Sequence, residues 1–81
     1  MSGIYPPLTC KDVKIILKNL GFTPRPRKST SHEQWVRRDK GRILKVTVDC
    51  PKSPFSPDLI SSMAKQADVS KKEFYKALEN N

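Results

Sequence analysis

Seven prolines divide this chain of 81 residues into short stretches and limit where regular structure can form. They fall into three groups, within residues 6–7, 24–26 and 51–57. Because proline has no backbone N–H and a fixed φ, neither a helix interior nor a central strand runs through these groups. Residues 1–8 therefore read as an irregular lead-in, and residues 22–28 as an extended segment at or beside a sheet edge.

The stretch before the second proline group predicts a helix over residues 10–20. Thr9 and Asp12 have the spacing of a capping box at its start, and Gly21 is placed to end it. Apolar residues recur at helical spacing between these ends, at Val13, Ile16, Leu17 and Leu20. The exposed face is expected to carry three lysines, Lys11, Lys14 and Lys18.

Two strands, residues 31–38 and 42–49, are predicted to form a hairpin around a turn at residues 39–41. The second strand alternates between apolar and mostly polar residues. Because successive side chains of a strand point to opposite faces, one alternate set should face the core. That set is Leu44, Val46 and Val48.

The first strand contains two adjacent apolar residues, Trp35 and Val36, and either could be the buried one. A period of two cannot choose between neighbours. We favour burial of Trp35, because it has more apolar area to remove from water, and an exposed Trp35 that stacks on a base is the alternative. This choice turns His32 to the open face of the sheet, whereas burial of Val36 would turn it inward.

The C-terminal part carries start signals for two further helices. Ser56, Pro57 and Asp58 supply an N-cap, a first-turn proline and an acidic first turn. One apolar stripe follows, made of Leu59, Ile60, Met63, Ala64 and Ala67. Ser70 and Glu73 form a second capping box, which introduces a short terminal helix.

The predicted order is helix, edge segment, hairpin, helix and short helix. This order predicts a single α+β domain over residues 1–81, with both main helices packed on one face of an antiparallel sheet. The other face stays open, and a chain of this length is too small for a deep pocket between lobes. A functional site is therefore expected on the surface.

The positive charge of the chain is regional. The net charge of +8 comes from 16 Lys and Arg against 8 Asp and Glu, yet residues 46–81 are balanced. Residues 25–45 hold eight basic residues and two acidic ones. Such a surface is expected to bind RNA or DNA more than a membrane, because no strongly amphipathic basic helix accompanies it. A solvated face that only keeps the protein soluble is the alternative.

The only histidine, His32, lies inside this basic segment. An imidazole beside hydroxyls and cations has the local chemistry that phosphodiester cleavage in RNA requires. His32 is therefore the candidate catalytic residue, and a purely structural or incidental histidine is the alternative. The candidate phosphate- and RNA-binding residues are Arg25, Arg27, Lys28, Ser29, Thr30, Ser31, Arg37, Arg38 and Lys45.

Cys10 and Cys50 are forty positions apart and lack the paired spacing of a zinc site. Because no signal peptide is expected either, they read as two separate thiols in a reduced, cytoplasmic protein. No apolar run approaches the roughly 20 residues of a membrane span. We expect no membrane association, no metal and no small-molecule cofactor.

Five short motifs follow one another within residues 9–78, the part of the chain that the resemblance below covers. They are Leu20-Gly21-Phe22, Ser31-His32 with Trp35 three positions on, Lys45-Val46-Thr47-Val48, Met63-Ala64-Lys65-Gln66-Ala67 and Ser70-Lys71-Lys72-Glu73-Phe74. In order and spacing they resemble the HicA family of toxin–antitoxin mRNA interferases. The resemblance implies a double-stranded-RNA-binding-like α-β-β-β-α domain, a ribosome-independent endoribonuclease with His32 as its catalytic residue, and a HicB-type antitoxin that neutralises it.

Two positions depart from the family's pattern. Thr30 stands before Ser31-His32 where the family has glycine, and its side chain limits how closely a backbone can approach the N–H groups there. A second histidine that many members carry after the third strand is missing. The chain reads Val48-Asp49-Cys50-Pro51 at that point.

A lone histidine fills only one of the two proton-transfer roles in RNA cleavage. We hypothesise that His32 is the general base, and that a water or a lysine protonates the leaving group. Charge on the phosphorane would be stabilised by Lys28, Arg37 or Lys45. Two other functions compete with this one, namely a non-catalytic double-stranded-RNA-binding module and a protein interaction domain that docks an acidic partner.

Overall fold

The computed structural model describes residues 6–25 and 32–79. Its elements run in the order α-β-β-β-α-α, with a three-stranded antiparallel sheet of strand order β1-β2-β3. They are α1 (Cys10–Asn19), β1 (Thr23–Pro24), β2 (His32–Asp39), β3 (Arg42–Asp49), a short 3-10 helix (Cys50–Lys52), α2 (Pro57–Gln66) and α3 (Lys71–Glu79). The predicted α+β architecture is confirmed.

The ends of α1 are set by local hydrogen bonds. The Thr9 hydroxyl accepts from the Asp12 N–H and the Asp12 carboxylate accepts from the Thr9 N–H, both at 3.1 Å, which completes the predicted capping box. Gly21 follows the helix with φ +95°, a backbone conformation that side chains disfavour. The helix therefore ends at Asn19, one residue before the predicted end.

β2 and β3 form the predicted hairpin through a two-residue turn. Lys40 and Gly41 have φ values of 48° and 84°, and positive φ at both positions is the mark of a type I′ turn. The turn sets the register, in which Asp39 lies opposite Arg42. Counting away from the turn along each strand places His32, the first residue of β2, opposite Asp49, the last residue of β3.

Trp35 is buried, as expected from its area, and Val36 is only partly buried. The Trp35 indole N–H donates to Glu33, whose carboxylate also receives Lys14 of α1 at 2.9 Å. Side chains from β2, β3 and all three α-helices meet in one apolar core on the face of the sheet that carries Trp35. Its fully buried members include Val13, Ile16, Leu17, Phe22, Val46, Val48, Phe55, Ile60 and Phe74.

The prediction of two separate thiols was wrong, because Cys10 and Cys50 form a disulfide with a Cα–Cα distance of 5.1 Å. Cys10 is the first residue of α1, and Cys50 is the first residue after β3. The fold brings these two element ends together although forty positions separate them. The bond ties the start of α1 to the segment that follows Asp49.

The last two helices begin as predicted. Ser56 accepts from the Leu59 N–H at the start of α2, and Ser70 forms a capping box with Glu73 before α3. In residues 6–25 and 32–79, none of the helices has the length and apolar character needed to cross a bilayer.

Candidate active site

The sheet has an open face, opposite the core, that carries one alternate set of side chains from β2 and β3. The register pairs them across the two strands as His32 with Asp49, Gln34 with Thr47, Val36 with Lys45, and Arg38 with Ile43. Directly opposed residues of antiparallel strands share a face. His32 therefore lies on the open face, as expected once Trp35 is buried.

His32 and Asp49 are in direct contact. The imidazole Nε2 lies 3.2 Å from the Asp49 Oδ2, while the His32 side chain is 51% exposed and that of Asp49 is 20% exposed. A carboxylate in its ionised form only accepts hydrogen bonds, so this contact favours an imidazole with a hydrogen on Nε2. In the neutral imidazole this places the lone pair on Nδ1. Asp49 thus orients the imidazole of His32 through its contact with Nε2.

The hydrogen-bond pattern of the sheet explains why these two side chains meet. The Thr47 N–H points away from β2 and donates to the Gln66 side chain of α2 at 3.2 Å, so Gln34 and Thr47 are a non-hydrogen-bonded pair. The pattern alternates, so His32 and Asp49, two residues on, are a pair of the same kind. Such pairs have the shorter Cα–Cα distance, about 4.5 Å, and the closer side chains.

Lys52 joins the site through the 3-10 helix that follows β3. Asp49 is the N-cap of that helix and Lys52 its last residue. A 3-10 helix has three residues per turn, so side chains three apart lie above one another. The Lys52 Nζ accordingly lies 4.0 Å from the Asp49 Oδ2, with 64% of its side chain exposed.

A groove with a volume of about 220 Å³ opens beside His32, between the end of β3 and α2. Its apolar lining is Phe55, Leu59 and Met63, and its polar lining is His32, Thr47, Asp49, Lys52, Ser62 and Gln66. Ligand pockets for whole small molecules usually measure about 300–1,000 Å³. The groove is therefore suited to one part of a larger substrate, with the imidazole at its border.

Three of the predicted RNA-binding residues share the face of His32. Lys45 and Arg38 are exposed on the open face, with Lys45 about 13 Å along β3 from Asp49 at the usual rise per residue. Arg25 is exposed just after β1, and its N–H donates to the Gln34 carbonyl at 2.8 Å. Extending the β1–β2 register places Arg25 opposite Gln34 and hence on the same face.

Arg37 lies on the other face of the sheet, so the structure does not bring it beside His32 as expected. Its guanidinium donates to the Leu20 carbonyl at 3.0 Å and contacts Asp39 at 3.6 Å. The reason is strand parity, because Arg37 shares the side of Trp35. The remaining predicted residues, Arg27, Lys28, Ser29, Thr30 and Ser31, lie outside the described residues.

Asp49 and Lys52 were not among the residues selected from the sequence. The turn at Lys40 and Gly41 contained the signal for Asp49, since a two-residue turn there sets its partner as His32. No sequence pattern indicated the 3-10 helix that brings Lys52 over Asp49. Within residues 6–25 and 32–79, His, Cys, Asp and Glu side chains form no group of three or more that could hold a metal ion.

Comparison with protein families gives one match. The family described as the HicA toxin of bacterial toxin–antitoxin systems matches residues 10–69, which span α1, the whole sheet, α2 and the groove. Comparisons with curated proteins and with solved structures give no match.

Proposed function

Because this chain belongs to the family of HicA toxins of bacterial toxin–antitoxin systems, we propose that it is an endoribonuclease that cleaves mRNA. Family membership makes it the toxin of such a pair, with a cognate antitoxin. The single observation that best supports the reaction is the contact between His32 and Asp49 on an exposed sheet face bordered by a groove. The proposal assigns a chemical role to each of these two side chains.

His32 is the general base. RNA cleavage begins when a base removes the proton of the 2′-hydroxyl, whose oxygen then attacks the neighbouring phosphorus. The lone pair of His32 takes that proton, and Asp49 stabilises the imidazolium that results. Asp49 is a positioning residue in this scheme, because it acts through the imidazole and not on the RNA. The reaction needs no redox step, and we propose that it proceeds without a metal.

The RNA backbone runs over the basic part of the open face. Arg25, Arg38 and Lys45 are exposed there and can neutralise phosphates on either side of the scissile one. The regional charge of residues 25–45 supports this path. We propose a HicB-type antitoxin as the cognate partner, which neutralises the toxin by covering this face with acidic side chains.

The mRNA substrate points to the cytoplasm as the site of action. Two separate thiols would have supported that location, but Cys10 and Cys50 form a disulfide and do not support it. A disulfide is more typical of oxidising compartments, so the proposed location depends on the substrate alone.

The test compares purified wild-type protein with His32→Gln on a labelled RNA oligonucleotide in the presence of EDTA. Gln can still donate to Asp49 but cannot transfer a proton, so we expect cleavage to fall by about 100-fold or more with RNA affinity retained. Lys72→Ala, which removes an exposed charge from α3, is the matched control and should cleave like wild type.

A second substrate tests the attacking group. The same oligonucleotide with 2′-deoxyribose at the cleavage position should resist the wild-type enzyme, and the ordinary product should end in a 2′,3′-cyclic phosphate. Wild-type protein that binds RNA and never cleaves it would establish the binding module instead. Wild-type protein without salt-dependent RNA affinity would leave the protein interaction domain.

A further inference from the structure

We propose that Lys52 is the general acid that protonates the leaving 5′-oxygen, the role for which the sequence supplied no residue. The inference rests on the ribonuclease function proposed above and extends it by naming the second catalytic group. It starts from the position of Lys52, which lies at the same groove as His32 and shares with it one carboxylate oxygen, the Asp49 Oδ2.

The distances suit a pair of groups that act on one phosphate. His32 Nε2 and Lys52 Nζ lie 3.2 Å and 4.0 Å from the Asp49 Oδ2, so their separation cannot exceed the sum of these distances. In the proposed reaction the free lone pair of the same imidazole accepts from the 2′-hydroxyl, and the ammonium donates to the 5′-oxygen of the same phosphate.

Lys52 can reach a phosphate without breaking a strong contact. Its ion pair with Asp49 is long, at 4.0 Å, and the lysine side chain is 64% exposed. Exposed pairs of this kind contribute little stability, so an incoming phosphate can replace Asp49 as the partner of Lys52. Asp49 keeps its shorter contact of 3.2 Å with His32 when Lys52 moves to the phosphate. The Asp49 carboxylate can thus hold both His32 and Lys52 at the groove before the substrate binds.

The other described cations on this face fit the role less well. Arg25 and Arg38 carry guanidinium groups, which do not release a proton in proteins. Lys45 is four residues along β3 from Asp49, about 13 Å away. Among the described residues that line the groove, Lys52 is the only lysine.

The proton balance of the cleavage closes with these two groups. The 2′-oxygen forms a bond to phosphorus and gives its proton to His32, while the bond from phosphorus to the 5′-oxygen breaks. The Lys52 ammonium gives a proton to that oxygen, which leaves as a neutral hydroxyl. The enzyme ends with His32 protonated and Lys52 neutral, and exchange of both protons with water restores the starting state.

The experiment removes the need for an acid from the substrate. An RNA oligonucleotide is made with sulfur in place of the 5′-bridging oxygen at the wild-type cleavage site, because a thiolate leaves without a proton. Lys52→Ala and Lys52→Arg are assayed on this substrate and on ordinary RNA, beside His32→Gln. Lys65→Ala, on α2 but outside the groove, is the charge-matched control.

We expect both Lys52 variants to cleave ordinary RNA about 100-fold or more slowly than wild type and the sulfur substrate at close to the wild-type rate. Lys52→Arg should keep RNA affinity because it keeps the charge. His32→Gln should be slow on both substrates, and Lys65→Ala should be unaffected on both.

Other outcomes overturn the inference in distinguishable ways. Wild-type rates for Lys52→Ala on ordinary RNA would remove Lys52 from the mechanism and leave the ribonuclease function standing. An equal loss on both substrates, restored by Lys52→Arg, would show that Lys52 stabilises phosphate charge and does not protonate. Wild-type protein that cleaves neither substrate would refute the proposed function and this inference together.

Discussion

Reduction of the Cys10–Cys50 disulfide should destabilise this protein by an amount that follows from the length of the loop it closes. The bond joins the first residue of α1 to the first residue after β3, and the loop spans a sequence separation of 40. Reduction frees this stretch in the unfolded chain while leaving the capping box, the hairpin and the apolar core in place.

The loop length sets the magnitude. In the chain-entropy treatment, closing a loop of this length removes about 13 cal/mol/K from the unfolded chain, which is about 4 kcal/mol at 25 °C. Native disulfides typically contribute about 2–4 kcal/mol, so this figure lies at the top of the range. With a guanidinium slope of about 2 kcal/mol/M, the unfolding midpoint should fall by about 1–2 M.

The assay is guanidinium unfolding followed by Trp35 fluorescence, with and without dithiothreitol. The double variant Cys10→Ser/Cys50→Ser is the control, and its midpoint should match that of reduced wild type and ignore the reductant. Two results would contradict this prediction. The first is the reaction of both thiols with iodoacetamide in unreduced, unfolded protein, which would mean that the bond is absent. The second is an unchanged unfolding midpoint after the bond is shown to break.

Three further outcomes are expected. Asp49→Asn should lower kcat at least about 10-fold and alter the pH–rate profile, because it removes the carboxylate that orients His32. KM should stay unchanged or fall, because a negative charge near the phosphate is removed. Values of kcat and KM equal to those of wild type would contradict this. Lys14→Ala should cost about 1–2 kcal/mol in urea unfolding, since Glu33 is largely buried and loses its cation while Lys14 itself is 39% exposed; Lys18→Ala, on the same helix, should cost less than about 0.5 kcal/mol. Lys45→Ala should reduce the salt dependence of RNA affinity by about one unit of slope, and an unchanged slope would exclude a phosphate contact there.

The helix starts could be predicted because their causes are local. Each cap is a set of bonds between residues three apart, as between Thr9 and Asp12 or Ser70 and Glu73. The open-face position of His32 required a comparison of burial, and the larger apolar area of Trp35 decided it correctly. The same parity put Arg37 on the core side, so its assignment to the RNA site conflicted with the strand pattern that placed His32.

The residues around His32 could not all be found in this way, because they depend on contacts between distant parts of the chain. Asp49 reaches His32 through the hairpin register, and its contact distance depends on which pairs of the ladder are hydrogen-bonded. Lys52 reaches Asp49 through a 3-10 turn that carries no strong sequence signal. The groove needs α2 to lie beside β3, which no periodicity within α2 specifies.

Local sequence patterns were enough to specify the three α-helices, the hairpin, the α+β class, the regional positive charge and one candidate proton-transfer group. They were enough because proline placement, capping bonds and alternation act over a few residues. Tertiary packing was needed to bring Cys10 to Cys50, and to place His32 and Lys52 at a groove where both contact one carboxylate oxygen of Asp49. Those contacts arise from strand register and helix packing, which bury a common core and so bring together residues that no local pattern connects.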